Sequence, residues 1–109
     1  MIKSGTVGEA CAAYLKNFAA VKGEKAARDP AGRFEKHVPG HRIENLPLDK
    51  LRSTDIEEWR DGLRFKVSPA TVNRNLRSLK AALNYGYRAG LANSDRAWSV
   101  VQLLPSAPK

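Results

Sequence analysis

The sequence predicts an all-α protein, a small four-helix bundle, on three observations. Apolar residues recur at spacings of three and four over two long stretches, 6–27 and 69–89. Two shorter stretches of the same character, 31–38 and 54–63, lie between them, set off by Pro, Gly, Ser and Thr. Strand-like alternation is confined to Arg64-Phe65-Lys66-Val67, which is too short to pair and reads as a loop. At 109 residues the chain has the size of one domain with one core.

The first helix, 6–27, sets Val7, Cys11, Tyr14, Phe18 and Val21 on one stripe, widened by Leu15. Thr6 is its N-cap, and Glu9 completes a capping box. Asp29-Pro30 is expected to break the chain before a short helix at 31–38, because proline fixes its own φ and biases its predecessor away from the helix. Phe34 and Val38 face the core from there. Pro39-Gly40 makes a turn, and Ile43, Leu46, Leu48 and Leu51 anchor the connector that follows.

Ser53 or Thr54 is the expected cap of the third helix, with Asp55 and Glu57 in its first turn and Ile56, Trp59 and Leu63 on its buried side. Ser68 caps the fourth helix, and Pro69 takes the first helical position, where its missing N–H has no intrahelical partner to lose. Val72, Leu76, Leu79 and Leu83 form the apolar seam of that helix, with Gly86 beside them and Gly90 at its end.

Charge narrows the function. The net charge is +8, with a pI near 10.0, and a pI above roughly 9 on a small domain is the usual footprint of nucleic-acid binding. Between Leu63 and Ser94 the chain carries Arg64, Lys66, Arg74, Arg77, Lys80 and Arg88 and no carboxylate. Like charges three or four apart on a helix cost a few tenths of a kcal/mol per pair, a penalty that reverses when phosphates enter and counterions leave. On a helical wheel Asn73, Arg77, Lys80, Asn84 and Arg88 share a polar arc with Arg74 at its edge.

Asn and Arg can pair with adenine and guanine edges, and Thr71 in the first turn suits a phosphate. These residues are the expected DNA contacts. Lys16, Lys22, Lys25 and Arg28 form a second set toward the end of the first helix, where they would equally offset the helix dipole. A basic face that is merely solvated is the plain alternative.

Other chemistries find little footing. Cys11 is the only cysteine, which excludes an internal disulfide and a cysteine-rich metal cluster and suits a reducing compartment. No apolar run approaches the roughly 20 residues that cross a bilayer. His37 and His41 have the spacing of a helical metal pair, but Pro39-Gly40 lies between them and no third ligand is evident, so no metal and no cofactor are expected. Tyr14, Tyr85 and Tyr87 lie in helices, Tyr14 on the core seam and Tyr85 and Tyr87 as packing residues or phosphate donors, so no catalytic residue is expected.

The segments TVGEACAAYL, HVPGHRIENLPLDKLRSTDIEEWRDGL and SPATVNRNLRSLKAALNYGYRAG, in that order, resemble the core-binding domain of tyrosine recombinases, the phage-integrase family. Leu48, Leu51, Thr54, Asp55, Ile56 and Trp59 match one family block. Ser68, Thr71, Val72, Asn73, Arg74, Leu76, Leu79, Leu83 and Asn84 match the next. The resemblance covers residues 6–104, and Asn93-Ser94-Asp95-Arg96-Ala97-Trp98 is similar to the segment that leaves this domain in one integrase subgroup. Gly86 stands where the family usually has alanine.

The resemblance implies a SAM-like bundle over 1–104 that clamps core attachment-site DNA during integration and recombination, with 105–109 beginning a linker to a catalytic domain. The family's catalytic set of Arg, Lys, His-x-x-Arg, a further His or Trp, and a nucleophilic Tyr belongs to that other domain. This chain is therefore expected not to be an enzyme, while its parent would be a DNA strand-transferring recombinase. Double-stranded DNA and other integrase protomers are the implied partners, with no membrane, in a bacterial or prophage-bearing cytoplasm. Two alternatives stand beside it. One is a free-standing regulator of the helix-turn-helix type, which needs a turn of 3–4 residues. The other is a protein-interaction helical bundle.

Overall fold

Glycine, not proline, makes the first break in the chain. The structure, a computed structural model, describes residues 5–104, so the expected linker start at 105–109 lies outside the described residues. Helix α1 runs Val7–Lys22 and α2 runs Glu24–His37, with Gly23 between them at φ 97°. A side chain at that φ would be strained, and glycine is not. The expected break at Asp29-Pro30 is thus corrected: Pro30 lies inside α2 and is buried with Ala27 and Phe34 on one stripe. Proline there leaves the Ala26 carbonyl without its helical donor, but Ala26 is exposed, so water can serve it. An Asp29–Arg33 ion pair at 2.8 Å spans the proline.

Both expected caps of the long helices are present. The Thr6 hydroxyl accepts the Glu9 N–H at 3.2 Å while the Glu9 carboxylate accepts the Thr6 N–H at 3.0 Å. Ser68 accepts the Thr71 N–H at 3.4 Å, and Pro69 opens α4, Pro69–Arg88. Helix α3 spans Ser53–Leu63. Its N-cap is Arg52, one residue before the expected Ser53 or Thr54, because the Asp55 carboxylate reaches back to accept the Arg52 N–H at 2.9 Å. A 3₁₀ turn at Arg42–Asn45 and a short helix α5 at Arg96–Ser99 complete the described helices. Arg64–Val67 is turn, as read, and among the described residues the only β pairing is an isolated Thr6–Pro47 bridge. No helix among them is long and apolar enough to cross a membrane.

Helix α4 lies at the centre and packs on α1, α2, α3 and α5. Its seam of Val72, Leu76, Leu79 and Leu83 is fully buried, and Trp59 is 2% exposed. Helix α2 folds back along α1, so that Tyr14 meets Phe34 with ring centroids 6.2 Å apart. Val21, expected on the α1 stripe, is exposed instead, since it lies beside the Gly23 reversal where no neighbour covers it. Gly62, the neighbour of Leu63, is also exposed.

Arg42 ties the 3₁₀ turn to α3 by pairing with Asp55 and Glu58, each at 2.8 Å. Burial alone would raise the Asp55 carboxyl, but bonds from Arg42 and the Arg52 amide hold it below its ordinary 3.8. The Arg42 hydrogen bond holds Glu58 below 4.5. A carboxyl whose folded pKa is depressed stabilises the fold above its unfolded value, and that stabilisation is lost as pH falls through the lower folded value. Stability measured by denaturant at successive pH values should therefore begin to decline below 4.5, and Arg42→Gln should flatten that limb. An unchanged slope in the variant would assign the acid limb to other carboxylates.

A second outcome concerns Gly86, where a Cβ would stand 3.1 Å from the Ala10 Cβ and 3.2 Å from Leu48 Cδ1. Alanine gains about 1 kcal/mol of helix propensity over glycine, whereas overpacking a core costs about 1–3 kcal/mol. The Ala10 methyl can yield only by moving the α1 backbone. Gly86→Ala should therefore lower stability by about 1 kcal/mol in urea unfolding, and a stabilised variant would show that α1 gives way.

Candidate nucleic-acid interface

Helix α4 carries three rows of side chains, and each faces something different. The apolar seam faces the core. A second row, Asn73, Lys80 and Asn84, faces the C-terminal segment of the described chain. The Asn73 amide nitrogen donates to the Leu104 carbonyl at 2.9 Å, and its oxygen accepts the Leu104 N–H at 2.6 Å. Lys80 donates to the Val101 carbonyl. Asn84 accepts the Trp98 indole N–H at 2.7 Å. Arg60 of α3, salt-bridged to Asp61, donates to the Gln102 carbonyl at 2.8 Å.

Residues 101–104 have no helix or sheet ladder of their own, so their buried backbone groups need side-chain partners. Polar side chains from two helices supply them and strap the segment down, with Trp98 and Val101 each 1% exposed. This corrects the expectation that Asn73, Lys80 and Asn84 share a solvent-facing arc with the arginines. Asn73 is 8% exposed, and burial lowers the Lys80 ammonium pKa. Both amide groups of Asn73 are already committed.

The third row is Arg74, Arg77 and Arg88, all exposed. None has an acidic partner among the described residues, where the ion pairs are Asp29–Arg33, Arg42 with Asp55 and Glu58, and Arg60–Asp61. Thr71 sits half-buried in the first turn with its hydroxyl 3.1 Å from that of Ser68. Lys16, Lys22, Lys25 and Arg28 are exposed as well, but the Gly23 break divides them. Lys16 and Lys22 stand on α1, Lys25 and Arg28 on α2.

Several residues acquire roles that local pattern did not reveal. Arg33 is half-buried and donates to the Ser78 hydroxyl of α4 at 3.2 Å, fixing α2 against the cationic helix. Phe65 is 92% exposed between exposed Arg64 and Lys66, in the turn that feeds α4. The alternation of that tetrapeptide was its only signal. His41 accepts the Ile43 N–H on Nδ1 at 3.2 Å and so caps the 3₁₀ turn. Tyr85 packs on Tyr14 at 6.3 Å between centroids, a packing role as expected. Among the described residues no group of three His, Cys, Asp or Glu could hold a metal ion.

No protein-family model, no curated protein and no solved structure matches this chain. The family resemblance therefore rests on the two residue blocks, and the interface on the geometry of α4.

The rows should respond differently to truncation. Asn73→Ala leaves the Leu104 N–H and carbonyl without partners, a loss of about 1–3 kcal/mol for buried groups. Amide exchange at Val101 and Leu104 should accelerate with it. Arg77→Ala should stay within about 0.5 kcal/mol of the parent. Equal destabilisation by the two variants would place Arg77 in the packing.

Proposed function

We propose that this chain is a DNA-binding domain of the tyrosine-recombinase kind, which grips duplex DNA through the exposed row of α4. The observation that carries this reading is the set Arg74, Arg77 and Arg88, exposed on one helix with no carboxylate between Leu63 and Ser94. Arg74 and Arg77, three apart and without counter-charge, repel one another in water and are relieved by phosphates, and Arg88 extends the cationic row along the same helix. Pro69 has no N–H and Thr71 donates its own to Ser68, so the start of the same helix offers the positive end of its dipole with the Ser68 and Thr71 hydroxyls beside it. By resemblance, the DNA is the core attachment site of an integrating element. Strand cleavage falls to a separate catalytic domain, and this chain supplies grip and register.

With Asn73 and Asn84 engaged by Leu104 and Trp98, any base reading falls to the arginines, whose natural partner is guanine. Sequence preference in the isolated domain should accordingly be slight. The helix-turn-helix alternative is disfavoured by the connector, since five residues, 64–68, separate Leu63 from Pro69.

Duplex titration followed by amide shifts is the direct test. Binding should fall at roughly 10⁻⁴ to 10⁻⁶ M at physiological salt and weaken steeply as salt rises. Shifts should concentrate on residues 71–88. Arg77→Ala should lower the salt slope by about one if it meets a phosphate, or cost about 1–3 kcal/mol at one base position if it reads an edge. Salt-independent binding, or shifts gathered on 55–61 instead, would sink the proposal.

A further inference from the structure

A second cationic feature lies away from the exposed row of α4, where the last turn of α2 meets the turn after α3. A cleft of about 340 Å³ opens there, with Lys36, His37, His41 and Lys66 on its walls, Trp59 among its apolar lining and no carboxylate lining it. Lys36 and Lys66 are exposed and have no ion pair among the described residues.

The end of a helix ordinarily disfavours an anion, because its last carbonyls carry about half a negative charge. Here part of that charge is engaged. Phe34 takes the Val38 N–H at 2.9 Å, His37 takes the Trp59 indole N–H at 2.9 Å, and Val38 takes the His41 N–H at 3.1 Å. Against what is left of it, the cleft walls bring two full ammonium charges and two imidazoles.

The imidazoles differ. His41 accepts the Ile43 N–H on Nδ1, so in its neutral form the proton sits on Nε2 and can be donated without any change of charge. The His37 ring has no hydrogen bond among the described residues. We infer that this cleft is a seat for a tetrahedral oxyanion of the phosphate class, held by Lys36, Lys66 and the two histidines. The seat does not depend on the DNA reading of α4. Its ligand is either a phosphodiester of nucleic acid or a small free oxyanion, since both offer the same oxygens.

Its pH dependence follows from the surroundings. Burial and then Lys66 and Lys36 hold the His37 pKa below 6.5 in the empty cleft. His41 is lowered by burial, Arg42 and Lys66, against an opposing pull from Glu58, which is itself bound by Arg42. An anion replaces the repulsion by attraction, so protonation and binding reinforce one another. Affinity should rise as pH falls below 6.5.

The test uses sulfate, whose charge is constant from about pH 8 to about pH 5 where histidine titrates, added at fixed ionic strength to the isotope-labelled chain. Saturable shifts are expected at Gly40, His41 and Lys66. The double variant Lys36→Gln/Lys66→Gln, altered only at exposed positions, should bind about tenfold more weakly. His37→Gln should flatten the rise at low pH, and Arg77→Ala should change nothing.

Shifts no larger than those from chloride, shifts spread over Arg74, Arg77 and Arg88, or full affinity in the lysine double variant would overturn the inference. Duplex DNA then separates the sources. If it displaces sulfate and loses affinity in the double variant, the seat holds a nucleic-acid phosphate. If it binds while sulfate stays, the seat holds a small oxyanion. Because the sulfate arm contains no DNA, its failure is distinct from failure of the α4 interface.

Discussion

The near-contact of α1 and α4 at Ala10 and Gly86 is the constraint on which the rest of the bundle depends. Two small residues, one on each helix, let the backbones approach until a single further methyl group would stand 3.1 Å from its neighbour. That proximity buries Val7, Ala10 and Cys11 together with the α4 seam in one core. It also leaves α4 free to receive α2 on one flank and α3 with α5 on another. One row of the long helix then remains in water, the arginine row. The basic face is what is left after every other side of α4 has found a neighbour.

What was legible in the sequence is what depends on near neighbours in the chain. The Thr6–Glu9 reciprocal cap, the Ser68–Pro69 helix start and the α4 seam each reside within a few residues, so pattern suffices. The break between α1 and α2 was misplaced because Pro30 is the stronger local signal. Its position on the buried stripe with Ala27 and Phe34 is a tertiary fact, and packing outweighed one lost helical bond. Arg52 displaced Ser53 as cap for a similar reason: Asp55, drawn into place by Arg42 from a distant turn, supplies the acceptor.

The candidate interface was legible only in part, since a wheel separates polar from apolar but cannot tell water from a polar strap. Asn73 and Arg77 lie within about 40° of each other at 100° per residue. One is closed by Leu104 and the other is open. The segment from Trp98 to Leu104 is rich in apolar residues, but it is too short for their spacing to say which surface they would cover, so nothing local announced that it would lie on α4. The same row that looked ready for base edges satisfies backbone groups that would otherwise be buried without partners. Lys80 performs that task as an ammonium partly removed from water, which is why its proton is held less firmly than on a surface lysine.

Cys11 carries a different implication. Burial, and then the nearby Glu44 carboxylate, push its thiol up to about 12, and it is 4% exposed in the core beside Ala10. Reagents attack the thiolate and must first reach it. The folded molecule therefore presents an alkylating agent with no usable sulfur, and the opened chain presents one. A single atom thus becomes a clock on the bundle: the pace at which it is labelled counts the moments when α1 parts from its neighbours, with no probe added to the chain.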